Sequence, residues 1–142
     1  ISNNPLYNQF GLPVIEDSIK NIGPAGGMLT ALQLSDTAWN FFIACDMPFV
    51  NVALIKSMWD EKYKGHAIVP FYDDQPEPLC AFYNVNCIPF LETQIASSNY
   101  KLSNLIDKMN VKKIIFPEVT NSGVNPFGNI NSITDLQKFV ST

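Results

Sequence analysis

Arginine is missing from the 142 residues, and all nine basic side chains are lysines. Against 13 acidic residues they leave a formal net charge of −4, and no basic stripe forms. Non-specific nucleic-acid binding needs a patch matched to phosphates, so DNA and RNA are excluded as partners. Long apolar runs are missing too. None exceeds five residues, as at positions 41–45, whereas a membrane helix needs about 18. No basic segment leading into an apolar one is found at the start, so no secretory signal is expected. Histidine occurs once, at His66, without a cysteine or histidine close by in sequence. Cys45, Cys80 and Cys87 form no CxxC pair. A zinc site and a disulfide framework are therefore excluded, and reduced thiols in a cytoplasmic protein are expected. Charged residues amount to 15% and hydrophobic ones to 46%, enough apolar material for a core, which excludes intrinsic disorder.

What is there reads as alternating strands and helices within one domain spanning 1–142. Leu12-Pro13-Val14-Ile15 reads as a buried strand tipped by Glu16-Asp17. Gly23-Pro24-Ala25-Gly26-Gly27 then feeds good helix formers from Met28 to Leu34. The aromatic and β-branched run from Trp39 to Cys45 reads as a strand buried on both faces, stopping at Asp46-Met47-Pro48. Asn51 is placed to cap a helix that Gly65 ends. Residues 67–72 and 78–83 suggest a hairpin around Asp73-Asp74. Two amphipathic helices carry Leu91 and Ile95, then Leu102, Leu105 and Ile106. A strand follows at 111–116, then a short extended piece at 127–131. A last helix runs from Ser132, with Asp135 completing a capping box. The pattern predicts a three-layer α/β sandwich with a mostly parallel sheet, made mixed by the hairpin.

In open α/β sheets ligands bind beyond the carboxyl ends of the strands. Asp17 and Asp46 occupy such positions. A carboxylate there can hold magnesium, which takes one or two carboxylates and fills its shell with water and phosphates; it can equally cap backbone amides. The Gly23–Gly27 loop lacks the Gly-Lys-Ser/Thr of a Walker loop and is not GxGxxG. Its helix can offer N–H groups to an anion, or the glycines can serve packing alone. Asn129 and Asn131 flank Ile130 and share one face of an extended segment, where amides bind polar ligand groups or tie down a loop.

The order of these strings is more specific than any one of them. LPVIED, GPAGGM, FIACDMPF, PLCAFY and FGNINS follow one another across essentially the whole chain. Together they resemble the molybdenum cofactor guanylyltransferases, also called molybdopterin-guanine dinucleotide synthases of the A type. The resemblance implies a GT-A/Rossmann-like nucleotidyltransferase fold. It implies transfer of GMP from GTP to molybdenum-bound molybdopterin, releasing pyrophosphate. Asp46 would be the catalytic Mg2+ ligand, and Asp17, Gly23, Pro24, Gly26 and Gly27 would border the nucleotide. Asn129 and Asn131 would lie on the pterin side. An asparagine at the end of the family's second strand would fall around Ser2 to Asn4. GTP, molybdopterin, and the molybdoenzymes or their chaperones are the implied partners.

The family's opening strand and loop, LAGGxSxRMGxDK, have no counterpart here. The resemblance therefore implies an N-terminally truncated copy without the sheet's first strand, and the residues given are expected to be inactive alone. Two other functions stay open. One is a cytidylyl or other sugar or cofactor nucleotidyltransferase; the other is a non-catalytic domain that binds a pterin or nucleotide.

Overall fold

The computed structural model describes residues 1–60, 62–116 and 125–130. Its sheet has five strands: β1 (Trp39–Ile43), β2 (Ala67–Tyr72), β3 (Gln75–Pro76), β4 (Cys80–Asn84) and β5 (Val111–Phe116). Their period-two alternation sorts the core into two halves. Ala67, Val69 and Phe71 of β2 and Ala81 and Tyr83 of β4 face one side. Ile68, Cys80 and Phe82 face the other. The first side is covered by α1 (Pro24–Leu34), α3 (Ile88–Ala96) and α4 (Leu102–Ile106), through Met28, Leu32, Leu91 and Leu105. The second is covered by α2 (Val52–Met58), through Leu54 and Met58, and by Phe127. The result is the expected three-layer α/β sandwich.

The strand order is β1-β4-β2-β3, and β5 pairs with β2 as well. β5 runs parallel to β2 along all six residues. β4 lies antiparallel between β1 and β2, and β3 pairs antiparallel with the end of β2. β1, β2 and β5 therefore point the same way, as the expected sheet requires. Neighbour pairing is mostly antiparallel all the same, because β4 is inserted between two strands that share a direction. Asp73 and Asp74, at φ 50° and 55°, make the tight turn from β2 to β3. Aspartate tolerates this left-handed conformation because its short side chain bonds locally.

Three local expectations change. Residues 12–15 form no strand, and Leu12 is exposed at 72%. One backbone bond, Ser2 N–H to the Ile15 carbonyl (2.9 Å), ties this stretch to the chain's start. β1 was expected to be buried on both faces, yet its residues are half-buried and Ile43 is exposed. Its ladder runs to β4 alone among the described residues, so one edge stays open. Asn51 does cap α2, its Oδ1 accepting from Leu54 N–H (3.0 Å), but the helix ends at Met58, not at Gly65. A 3-10 turn at Pro5–Phe10 has no counterpart in the expected elements. The helix expected from Ser132 lies outside the described residues. Among those described, no helix is long and apolar enough to cross a membrane.

The cysteines report on this core. Cys80 and Cys87 are buried, and burial pushes both thiols up to about 12, with the Glu77 carboxylate adding to the effect at Cys80. Cys45 is exposed. Thiolate is the reactive form, so a buried protonated thiol is inert. A disulfide-exchange reagent at pH 8 is expected to titrate one thiol in the native protein and three in denaturant. Rapid reaction of three thiols without denaturant contradicts this packing.

Candidate active site

The loop before α1 is pressed onto that helix. A Cβ at Gly26 would stand 2.4 Å from the Ile19 carbonyl oxygen, so only glycine allows the approach. Gly23 precedes the helix at φ +64°, a conformation that glycine adopts without strain. Buried Thr30 stitches the contact. Its Oγ1 accepts from Ser18 N–H (2.8 Å) and donates to the Gly26 carbonyl (2.9 Å).

This seating fixes Asp17. Its backbone N–H donates to Asn3 Oδ1 (2.9 Å), and Asn3 Nδ2 donates to Asp17 Oδ2 (2.9 Å). Of the three residues Ser2 to Asn4, Asn3 is thus the one that reaches Asp17. Asp17 Oδ1 stands over Gly27, 3.1 Å from where a Cβ would be, in the first turn of α1. The positive end of a helix favours a carboxylate there. Asp17, Gly23, Pro24 and Gly27 line one cavity of about 510 Å3, whose far wall is Asn40 to Ile43 of β1. Gly26 does not line it; its role is the close approach to Ile19.

Asp46 follows β1 at its carboxyl end. Its Oδ1 is buried and makes no hydrogen bond among the described residues. Its carbonyl accepts from Ile130 N–H (2.9 Å), which brings residues 125–130 to the strand end. Phe127 anchors that segment between Tyr72 and Phe116, with ring centroids 6.1 Å and 5.4 Å away. Asn129 is exposed beside this junction, and Asn131 lies outside the described residues. Asp46 and Asn129 do not line the 510 Å3 cavity, so the expected residues form two groups. Among the described residues, no three His, Cys, Asp or Glu side chains cluster as a metal cage. A single strand-end carboxylate whose buried oxygen has no partner among the described residues suits magnesium, which keeps water and phosphate in its shell.

The first 113 residues decide the family: positions 2–113 match the model of the MobA-like NTP transferase domain. The chain belongs to that family. It is 30% identical to the probable molybdenum cofactor guanylyltransferase of Clostridium perfringens (strain 13 / Type A), over 99% of this chain and 73% of that protein. It is 28% identical to the molybdenum cofactor guanylyltransferase of Yersinia pestis (strain Pestoides F), over 94% and 67%. The crystal structure of molybdopterin-guanine dinucleotide biosynthesis protein A from Archaeoglobus fulgidus superposes with a TM-score of 0.75 at 27% identity, covering 94% of this chain and 69% of that one. These matches bear out the expected family and fold. The named relatives are nucleotidyltransferases of molybdenum cofactor biosynthesis.

The Asn3–Asp17 pair was only half legible, since the partners stand 14 positions apart. The role of Thr30 had no sequence signal, because a threonine inside a helix usually says nothing of a loop across from it. Gly26→Ala in this MobA-like domain tests the seating. The added methyl gains up to about 1 kcal/mol of helix propensity. It meets a backbone oxygen that must move, at an overpacking cost of about 1–3 kcal/mol. Net destabilisation in urea unfolding is the expected outcome; a raised midpoint means that the loop is not packed as described.

Proposed function

We propose that this domain transfers GMP from GTP to the terminal phosphate of molybdenum-bound molybdopterin. An acceptor phosphate oxygen attacks the α-phosphorus of GTP in line. The new P–O bond forms as the bond to the β-phosphate breaks, and pyrophosphate carries away the electron pair. Such transfer depends on positioning and charge neutralisation, with little covalent chemistry asked of the protein.

The observation that carries this reading is Asp46, a strand-end carboxylate with a buried oxygen that has no partner among the described residues. An unpartnered buried carboxylate oxygen is costly unless a cation completes it. Asp46 would hold Mg2+, which when bound neutralises phosphate charge. Asp17 and the α1 loop border the nucleotide, Asp17 held by Asn3 and the first turn of α1 offering its N–H groups. Asn129 and Asn131 serve the acceptor, an assignment supported by the chain junction at Ile130 that sets Asn129 beside Asp46.

Asp46→Asn keeps shape and removes the charge. In the full-length protein it is expected to lower GTP-dependent product formation by at least about a hundredfold, ~2.7 kcal/mol of barrier, with an unchanged unfolding curve. Turnover near that of the unaltered protein refutes the role of Asp46. Asn129→Ala and Asn131→Ala are expected to raise the KM for the acceptor and leave GTP affinity unchanged in calorimetric titration. An equal loss for GTP contradicts the acceptor assignment.

A further inference from the structure

His66 is the sequence's one histidine, and the candidate site makes no use of it. It lies half-buried at the opposite end of the sheet, one residue before β2. Its backbone is tied on both sides. His66 N–H donates to the Asn110 carbonyl (2.8 Å), and its own carbonyl accepts from Asn84 N–H (2.8 Å). Asn110 precedes β5 and Asn84 ends β4, so residue 66 extends both strand pairings of β2 by one bond. The ring adds a third tie: His66 Nδ1 accepts from Asn110 N–H (3.0 Å). An imidazole nitrogen accepts only while it carries no proton. This bond therefore requires a neutral ring with its proton on Nε2.

The neighbours hold both partners in this arrangement. Phe90 of α3 packs on the His66 ring, with centroids 4.7 Å apart. The Tyr63 hydroxyl donates to Asn110 Oδ1 (3.1 Å), which steadies the other partner. Burial pushes the Tyr63 phenol up, so it stays a donor in acid. The charged groups on the surrounding elements have other engagements or face solvent. Lys112 of β5 is paired with Asp60, and Glu92 of α3 accepts from Gln33. Lys108 lines a hollow of about 200 Å3 with Phe90, while Lys62, Lys64 and Asp107 are exposed. Among the described residues, no carboxylate bonds the imidazole, so no anion is in place to accept a proton from its ring.

We infer that His66 is an acid-sensitive latch that holds the start of β5 against β2. A proton on Nδ1 turns the acceptor into a donor, so two N–H groups face each other where a bond had been. β5 pairs with β2 alone among the described strands, so its first rung has no second strand to hold it. The four residues 107–110 connect that rung to α4, and release of Asn110 frees the end of this link. The direction of the pH effect follows. The bonded native state excludes the extra proton and the unfolded chain accepts it. The unfolded state then binds more protons across the imidazole range, and stability falls on acidification. An imidazole in an unfolded chain titrates near about pH 6.5. At one pH unit below, the unfolding equilibrium constant can gain at most about tenfold from this one site.

Urea unfolding of the full-length protein at pH 8 and pH 5.5, beside His66→Asn, tests the latch. The asparagine oxygen takes the place of Nδ1 as acceptor and does not titrate, and every other ionisable group is common to both proteins. On acidification the unfolding equilibrium constant of the unaltered protein is expected to rise at least about threefold more than that of the variant, within the tenfold limit. A second measurement needs no variant. Ring 15N NMR at pH 8 is expected to show His66 with a bare Nδ1 and a protonated Nε2, and the Asn110 amide proton is expected to shift as the ring titrates. Equal acid sensitivity of the two proteins, a proton on Nδ1 at pH 8, or an Asn110 amide that ignores the titration overturns the proposal.

Discussion

The double pairing of β4 is the constraint on which the rest of the molecule depends. All five of its residues are buried, and it bonds to β1 on one edge and to β2 on the other. β1 has no other strand neighbour among the described residues, so its place in the sheet is set by β4 alone. The position of Asp46 follows, because that residue continues β1 past its last ladder pair, Ile43 with Cys80. So does the junction of Ala44 with Leu79, which extends the same pairing by one bond. A reversed strand between two that share a direction thus brings the lead-in to β4 alongside the carboxyl end of β1. That end is where open α/β sheets bind their ligands.

On the other side of the candidate site the governing contact is helix against loop. Gly26 removes a side chain, and the Ile19 carbonyl takes its space. Thr30 then supplies the Ser18 N–H with an acceptor that no regular ladder provides. Asp17, one residue earlier, is left with its backbone and one oxygen bound to Asn3 and the other oxygen facing the first turn of α1. The loop owes its shape to these few bonds, since none of its residues belongs to a strand or helix. A glycine string that is ambiguous as a motif becomes interpretable through what each glycine touches.

The sequence was most legible where one physical effect dominates. Residues 67–72 and 80–84 are buried almost throughout, and their apolar and aromatic runs, interrupted by Pro70 and ended by Asn84, say so. Asn51 before Val52 announced a cap because side-chain capping is local. Legibility failed where an outcome depends on a distant partner. Residues 12–15 look like a strand, but apolar character specifies burial only if a neighbouring strand is there to pair with them. The same holds for β1, whose residues carry the composition of a central strand and the exposure of an edge. Asp46 was legible as a strand-tip acid; its orphaned oxygen was not, since that depends on how residues 125–130 return to the sheet.

Buried polar side chains do parallel work on both sides of α1. Thr30, Tyr83 and Gln94 are each almost wholly inaccessible, and each side chain bonds the backbone of another segment: Thr30 accepts from Ser18 N–H, while Tyr83 and Gln94 donate to the Pro78 and Lys101 carbonyls. An apolar residue of similar size would fill the same space without the risk of an unmade bond, as Gln94 Oε1, without a partner among the described residues, makes plain. What the polar choice adds is direction. A hydrophobic contact holds a segment near the core but lets it slide, whereas a hydrogen bond of about 3 Å fixes which backbone group sits where. Thr30 fixes the Asp17 loop, Tyr83 the lead-in to β4, and Gln94 the connection that carries Tyr100 and Lys101. The three segments that must stay in register around the candidate site are those that the core grips through polar bonds.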